Sequence, residues 1–314
     1  MEMSTNLIDE DLIKRWKCWK DFLRDGDDPN AIHNQLYNLY WYIGVFKAKN
    51  ISWGFGIREN VVTSPLFFDF YLQTFRIFLV ANIRRILEKN VLFNEKKSKA
   101  DHSIISLSSI IEDIYSQRVS YSRRIIFLAN EIAYDEEEMN IKHEAYSKEK
   151  RSKGEKCFFV PMNITSLPTI SLHAHWDSIT GIIKDQRTED DVIPEDKFVS
   201  LRDRISNIRL EIETIANKFY LHAATAESRY ETLGNNLEEF EGPSIARLIS
   251  ICLECGSIYG ELCEFLTIGR MNPLPYAEFD KWKGWPSTKY ADRELLEKTW
   301  SEWNEEVKTA VGTP

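Results

Sequence analysis

The chain has 314 residues, 43% hydrophobic and 12% aromatic, which is ample for a packed core. Only 13 glycines and 10 prolines argue against a turn-rich all-β fold, and a net charge of −9 argues against non-specific coating of nucleic acid. Five cysteines, an odd number, do not indicate a disulfide framework. Because the acidic N-terminus has no hydrophobic signal segment, we expect a cytoplasmic protein.

The first half of the chain shows hydrophobic periodicity typical of helices. We expect helices over 9–24, 31–48, about 65–89, 103–115 and 121–134. Ser64 and Pro65 form a good helix start, with a hydroxyl N-cap and a proline at the first helical position. The third helix contains FRIFLVANI, but nearby charges such as Asp69 and Arg76 leave an uncharged run far shorter than the roughly 20 residues of a membrane span. A buried helix, with no membrane contact, is the better interpretation.

The second half is predicted to be less regular at first. Residues 144–156 are expected to be a charged, flexible connection, and 157–194 to hold one or two short strands, so that 144–194 is an insertion or irregular segment. Helical patterning resumes over 195–230 with a break near Ser206, and continues over 244–265. A last amphipathic helix, about 290–309, lies in a C-terminal extension, 270–314. We expect a single all-α domain, a helical bundle, over 1–314.

The segment LHAHWD places His173, His175 and Asp177 at alternate positions, which would face one way on a strand. This spacing is similar to the metal motif of metallo-β-lactamase-like hydrolases, but Ser178 stands where that motif has its next histidine. A surface or partly buried histidine pair is the favoured interpretation, and we expect no metal.

Other sequence signatures of catalysis or cofactor binding are weak. Cys252 and Cys255 form a CxxC with Cys263 further on, but a structural zinc site needs four ligands and no second pair exists. We therefore predict that these cysteines are small buried hydrophobes. The sequence has no phosphate-binding glycine loop and no GxSxG, and we expect no cofactor.

A polar stripe is predicted around the segment NKFYLHAATAESR, residues 217–229. At about 100° per residue, Arg204, Glu211, Lys218 and Arg229 fall within about 40° of His222, provided that the helix is continuous. Cations beside a titratable imidazole could hold a phosphodiester and move protons. The alternative is the solvated face of an ordinary amphipathic helix.

Three segments, FYLQTFRIFLVANIRRILEKN, HSIISLSSIIEDI and IANKFYLHAATAESR, resemble the HEPN superfamily of helical nucleases, in particular its abortive-infection AbiU-type branch. The resemblance covers about residues 30–265. It implies a dimeric helical bundle that cleaves RNA without metal, by attack of the substrate's own 2′-hydroxyl. His222 matches the family histidine. The matching arginine is missing, because Ile215, Ala216 and Asn217 occupy the expected positions.

The resemblance implies a catalytic set of His222, Lys218, Arg229 and Arg204, in which Lys218 or Arg204 would replace the missing arginine. Residues 76–124 hold ten Lys/Arg against five Asp/Glu, so an RNA-contacting surface is predicted there. Its members would be Arg84, Arg85, Lys89, Lys96 and Lys97.

Three functions follow from these observations. The first is a metal-independent endoribonuclease of a phage-defence or toxin-type system, and the second is a non-catalytic HEPN-like scaffold or partner in a defence complex. The third is an unrelated helical binding protein. We expect a homodimer whose interface includes the 204–229 helix, with the aromatic-rich helices at 36–46 and 66–83 able to supply contact, because two copies of the stripe would complete one site.

Overall fold

The structure, a computed structural model, is helical wherever it describes the chain in regular elements. The described residues are 2–24, 26–58, 65–90, 92, 105–154, 160–161, 164–221, 244–267, 273–275 and 293–312. Their α-helices are α1 (Glu2–Arg24), α2 (Ile32–Arg58), α3 (Pro65–Leu87), α4 (Leu107–Gln117), α5 (Arg123–Ala129), α6 (Glu136–Ser152), α7 (Leu167–Thr180), α8 (Asp196–Ile215), α9 (Ile245–Phe265) and α10 (Arg293–Val311). A π-helical segment, Ala216–Leu221, follows α8 directly. The predicted all-α class is confirmed, since these residues hold no strand beyond one isolated antiparallel bridge, Ser122 to Val192.

The chain divides into two compact units. Unit 1 comprises Met1–Asp21, Asp113–Ser200 and Phe265–Ile268. Unit 2 comprises Phe22–Glu112, Leu201–Glu264 and Gly269–Pro314. Each unit has its own set of buried side chains.

Unit 1 is built around an aromatic cluster. The ring of Trp16 lies 5.6 Å from that of Tyr121 and 5.9 Å from that of Phe265. The buried Tyr121 hydroxyl donates to the carbonyl of Leu12 (2.9 Å), and Trp19 Nε1 donates to Asp113 (2.8 Å). Both polar groups are therefore satisfied inside an apolar cluster, whereas the buried Trp16 Nε1 has no hydrogen-bond partner among the described residues.

Unit 2 is built around α2, which packs against α3 and α10. Phe46 of α2 stacks on Phe75 of α3, with ring centroids 3.9 Å apart. Trp303 of α10 is fully buried, and its Nε1 donates to the carbonyl of Tyr40 (3.0 Å). The helix of the predicted C-terminal extension is thus part of the core of unit 2.

Two glycines let neighbouring groups approach the backbone of α9. A Cβ atom on Gly260 would lie 2.3 Å from the carbonyl oxygen of Val311, and one on Gly256 would lie 2.0 Å from the hydroxyl oxygen of Tyr40. Real side chains do not tolerate such distances, so glycine is required at both positions for this packing.

The prediction of a flexible connection at 144–156 was wrong for residues 144–152, which belong to α6. The Asp135 side chain caps α6 by accepting from the backbone nitrogens of Glu137 and Glu138. Acidic residues occupy its first turn and Lys150 and Arg151 its last, which complements the helix dipole. The high charge of this segment therefore belongs to a capped, exposed helix. Hydrophobic periodicity does not reveal this helix, because the segment has few apolar residues.

The prediction of strands in 157–194 was also wrong for residues 167–180, which form α7. Pro168 lies in the first turn of α7, where its missing N–H costs nothing, and Gly181 ends the helix in the left-handed conformation with φ of 74°. The predicted break near Ser206 is absent as well, since α8 runs unbroken through it. α2 also continues to Arg58, ten residues beyond its predicted end.

Candidate functional site

Arg204, a predicted catalytic residue, is engaged in a polar network between α8 and α9. Its Nε donates to Glu254 (2.6 Å), one terminal nitrogen donates to Ser257 Oγ (3.0 Å) and the other contacts Glu261. Burial opposes the charge of Arg204, but its hydrogen bonds to Glu261 and Glu254 outweigh that effect and raise the pKa of the guanidinium. In the described geometry Arg204 holds two helices together.

Glu211, on the same predicted stripe, has a similar role. It accepts from Arg247 of α9, with the Nε to Oε1 distance at 2.8 Å. Over Arg204 and Glu211, the polar stripe along α8 is therefore a seam of partly exposed ion pairs with α9.

The helix that carries the predicted stripe becomes π-helical at residue 216. In a π-helix the hydrogen bonds run from i to i+5, so the phase counted at 100° per residue does not continue beyond Ile215. The continuous α-helix that the stripe prediction assumed is thus not observed. Single π turns within helices occur frequently at functional sites.

The π segment packs against α3. Tyr220, a member of the segment, has a buried hydroxyl oxygen with no hydrogen-bond partner within the described parts of the chain. Burial raises the pKa of Tyr220, and the positive charge of Arg76 on α3 opposes that rise. Lys218, a predicted catalytic residue, is half-buried on the same segment. The fold therefore places a tyrosine hydroxyl near an arginine, and a lysine on the same short segment.

The two remaining predicted catalytic residues, His222 and Arg229, lie outside the described residues. His222 follows the π segment directly in sequence. Of the predicted RNA-contacting residues, Arg84, Arg85 and Lys89 are exposed at and just beyond the C-terminal turn of α3. Arg85 also contacts the side chain of Asn30. Lys96 and Lys97 lie outside the described residues.

The histidines of LHAHWD lie on α7, so the common face predicted for a strand does not exist. Asp177 accepts from two arginines, Arg123 (2.9 Å) and Arg187. Burial opposes ionisation of Asp177, but hydrogen bonds from Arg187 and Arg123 outweigh it and hold the carboxyl pKa below its ordinary value. A carboxylate neutralised in this way is a poor metal ligand, and the described residues contain no group of three or more His, Cys, Asp or Glu able to hold a metal ion.

His173 is buried beside this ion network. An arginine can only donate, so the 3.2 Å contact of Arg123 with His173 Nδ1 makes that nitrogen the acceptor. The proton is then on Nε2, which donates to the carbonyl of Tyr134 (2.9 Å). Burial lowers the pKa of His173, and the charges of Arg187 and Arg123 lower it further, against the effect of the Tyr134 hydrogen bond. His173 is thus a neutral structural histidine.

The cysteine prediction is confirmed. Cys252, Cys255 and Cys263 are free and fully buried on α9. Burial raises the pKa of Cys255 to about 12, so its thiol is protonated at neutral pH and unreactive.

Two residues of this region were not among the predicted site residues. Tyr220 lies on the π segment and Arg76 lies on α3. An arginine inside the apolar run FRIFLVANI was a usable signal, because a charge on a mostly buried helix needs a specific environment. On sequence alone, Arg76 counts among the charges that exclude a membrane span and among the ten basic residues of 76–124.

Comparison with known proteins found no match: no family model, no curated protein and no solved structure is similar to this chain. Within the described residues, no helix is both long and apolar enough to cross a lipid bilayer.

Proposed function

We propose that this protein is a HEPN-like endoribonuclease of a phage-defence or toxin-type system, which cleaves RNA without a metal ion at a site that includes His222. The observation that carries the proposal is the π segment immediately before His222. It packs against α3, and the charge of Arg76 acts on Tyr220 there. Arg76 would supply, from another helix, the arginine that is missing at 215–217.

The proposed chemistry needs a cation for the phosphate and a group that transfers protons. The RNA 2′-oxygen attacks the adjacent phosphorus while His222 takes the hydroxyl proton. The bond from phosphorus to the 5′-oxygen breaks as that oxygen takes a proton from water, and His222 then releases its proton to the solvent. The products are a 2′,3′-cyclic phosphate and a 5′-hydroxyl. Arg76 and Lys218 would stabilise the charge that develops on the phosphate oxygens.

The test is cleavage of labelled single-stranded RNA in excess EDTA, with the ends identified by mass spectrometry. We expect cyclic-phosphate ends and a loss of about 100-fold or more in rate for His222→Ala. Arg76→Ala should lose about 100-fold, and Arg76→Lys should retain more activity because it keeps the charge. Arg209→Ala is the matched control, since Arg209 lies on α8 in a loose 3.9 Å ion pair with Glu213 and should be dispensable.

A non-catalytic HEPN-like scaffold or partner in a defence complex is the alternative. The engagement of Arg204 and Glu211 in ion pairs with α9 favours it, because those side chains are occupied in holding helices. RNA binding that depends on Arg76 without any cleavage would support this alternative. Cleavage that EDTA abolishes, or an absence of both binding and cleavage, would overturn the proposed site.

A further inference from the structure

A cavity of about 580 Å³ opens within unit 1 beside the start of α6. Its walls come from the residues that lead into α6, from His173 of α7 and from the loop at 187–189. It contains none of the residues assigned to RNA cleavage. Because polar groups of both charges converge there beside two aromatic rings, the cavity has the composition of a site for a small polar ligand.

Arg187 lines this cavity and is held in place by a buried ion network. Its Nε donates to Asp177 (3.0 Å), and one terminal nitrogen contacts the same carboxylate, which the fully buried Arg123 also contacts. The other terminal nitrogen of Arg187, Nη1, donates to no group within the part of the chain that the structure describes. A guanidinium that is fixed on one edge in this way is prepared to bind the carboxylate of a ligand with its remaining N–H groups.

Tyr134 brings a hydroxyl group to the same cavity. Its ring lies 4.9 Å from that of His173, and its backbone carbonyl accepts from His173 Nε2 (2.9 Å). Burial raises the pKa of Tyr134, and the charges of Glu189 and Arg187 act on it in opposite directions, which shows that both groups lie near the hydroxyl. The hydroxyl has no hydrogen-bond partner among the described residues. Two donors, from Tyr134 and Arg187, are therefore directed to one small volume.

Carboxylates supply the acceptors of the cavity. Glu189 is exposed and forms no ion pair with any described residue, and its backbone carbonyl accepts from the Arg124 nitrogen (3.0 Å), which fixes the loop. Three further carboxylates line the cavity at the start of α6: Asp135, Glu136 and Glu138. Two of these have lysine partners, at 2.6 and 3.6 Å, in exposed pairs that contribute little. Four carboxylates against one guanidinium make the cavity acidic.

We propose that this cavity binds a free basic α-amino acid, such as arginine or lysine. The α-carboxylate accepts from Arg187 Nη1 and from the Tyr134 hydroxyl, and the α-ammonium group donates to Glu189. The cationic end of the side chain reaches the carboxylates at the start of α6. An α-amino acid carries a carboxylate and an ammonium group on one carbon, and a basic side chain complements the acidic groups that remain. This site is separate from the proposed site of RNA cleavage, so that either proposal can fail without the other.

Isothermal titration calorimetry of the full chain tests the class of ligand. L-Arginine should bind saturably, with a dissociation constant on the order of 0.1 mM, as ligand efficiencies allow for a molecule of this size. Agmatine lacks the α-carboxylate and Nα-acetyl-L-arginine lacks the α-ammonium group, so each should bind about 10-fold more weakly or worse. L-Glutamate should not bind.

Three results would overturn the proposal. Equal affinity for agmatine would show a simple cation site that does not use Arg187. Equal affinity for Nα-acetyl-L-arginine would show that the cavity takes the C-terminal arginine of a peptide and not a free amino acid. The third result is an absence of saturable binding with both L-arginine and L-lysine.

Two conservative variants test the assigned contacts. Glu189→Gln removes the charge that faces the α-ammonium group, and Tyr134→Phe removes only the hydroxyl, so each should raise the dissociation constant for L-arginine about 10-fold. Asp190→Asn is the matched control, because it makes the same change in charge on an adjacent exposed residue that does not line the cavity. All three variants keep the Arg187–Asp177 pair, and their melting temperatures without ligand verify the fold. Unchanged affinity in Glu189→Gln or Tyr134→Phe, or an equal loss in Asp190→Asn, would overturn the proposed site.

Discussion

At the scale of single residues, Arg123 organises the polar interior of unit 1. Its fully buried guanidinium donates to Asp191 (2.9 Å), Asp177 (2.9 Å) and His173 Nδ1 (3.2 Å). A buried charge is tolerated only when its partners satisfy it, and here two carboxylates and a neutral imidazole do so. The protonation state of His173 is therefore linked to the integrity of the whole network.

This link predicts that the free energy of unfolding depends on His173 in weakly acidic solution. Its pKa is lowered in the folded protein, so its contribution is present above the ordinary histidine pKa and is lost as the pH falls below it. Denaturant unfolding from about pH 7.5 to about pH 5.5 spans the ordinary histidine value of about 6.5. Stability should decrease over this range, and less steeply for His173→Gln.

His33 supplies the comparison for that experiment. Burial and the nearby charge of Arg24 lower its pKa as well, so His33→Gln should remove a separate share of the slope and the double variant should be flattest. The carboxyl groups of Asp177 and Asp191 contribute in a different window. Their lowered pKa values place the loss of their contribution below about pH 4. An unchanged slope in His173→Gln would contradict the assigned neutral state.

At the scale of helices, α9 shows how small residues determine a packing arrangement. Gly260 allows the carbonyl group of Val311 at the end of α10 to approach the α9 backbone. We predict that Gly260→Ala lowers the free energy of unfolding by about 1–3 kcal/mol, because the added methyl group overlaps a backbone atom that cannot rotate away. Urea denaturation measures the change.

Gly26→Ala is the control for the change in unfolding free energy expected of Gly260→Ala. A Cβ atom at Gly26 has no atom within 4 Å, so this variant should be close to neutral. An equal loss of stability in the two variants would contradict the assignment of the cost to the contact with Val311, because the lower backbone entropy of an unfolded chain with alanine in place of glycine is by itself stabilising.

At the scale of the whole molecule, a net charge of −9 coexists with a local excess of positive charge over residues 76–124. If RNA binds the exposed Arg84, Arg85 and Lys89 at the end of α3, log affinity should fall linearly with log salt concentration, because phosphate contacts release counterions. Lys89→Ala should reduce the steepness by about 0.7, the value for one phosphate contact on a single strand. Lys142→Ala, on α6, should leave it unchanged, and a shallow slope in the wild type would contradict an electrostatic RNA surface.

The helices that the sequence predicted well are those whose information is local. α3, α9 and α10 follow from apolar residues at helical spacing, and Ser64 and Pro65 indicated the start of α3 at the correct residue. α6 and α7 were missed because the high charge of 144–156 favoured a flexible connection and a proline within 157–194 favoured an irregular segment with one or two short strands. Both features are equally compatible with a helix when they occupy the positions at its ends.

The sequence by itself determined the helical class and the burial of the α9 cysteines, because both depend on the type and spacing of neighbouring residues. Only the tertiary structure decided which charges pair, since Arg123 and Asp191 are 68 residues apart in the chain and Arg204 and Glu254 are 50 apart. Tertiary structure likewise decided the change to a π-helix at Ala216, which packs against α3. Contacts between distant segments set these features, and no local pattern encodes which distant residue will be adjacent in the fold.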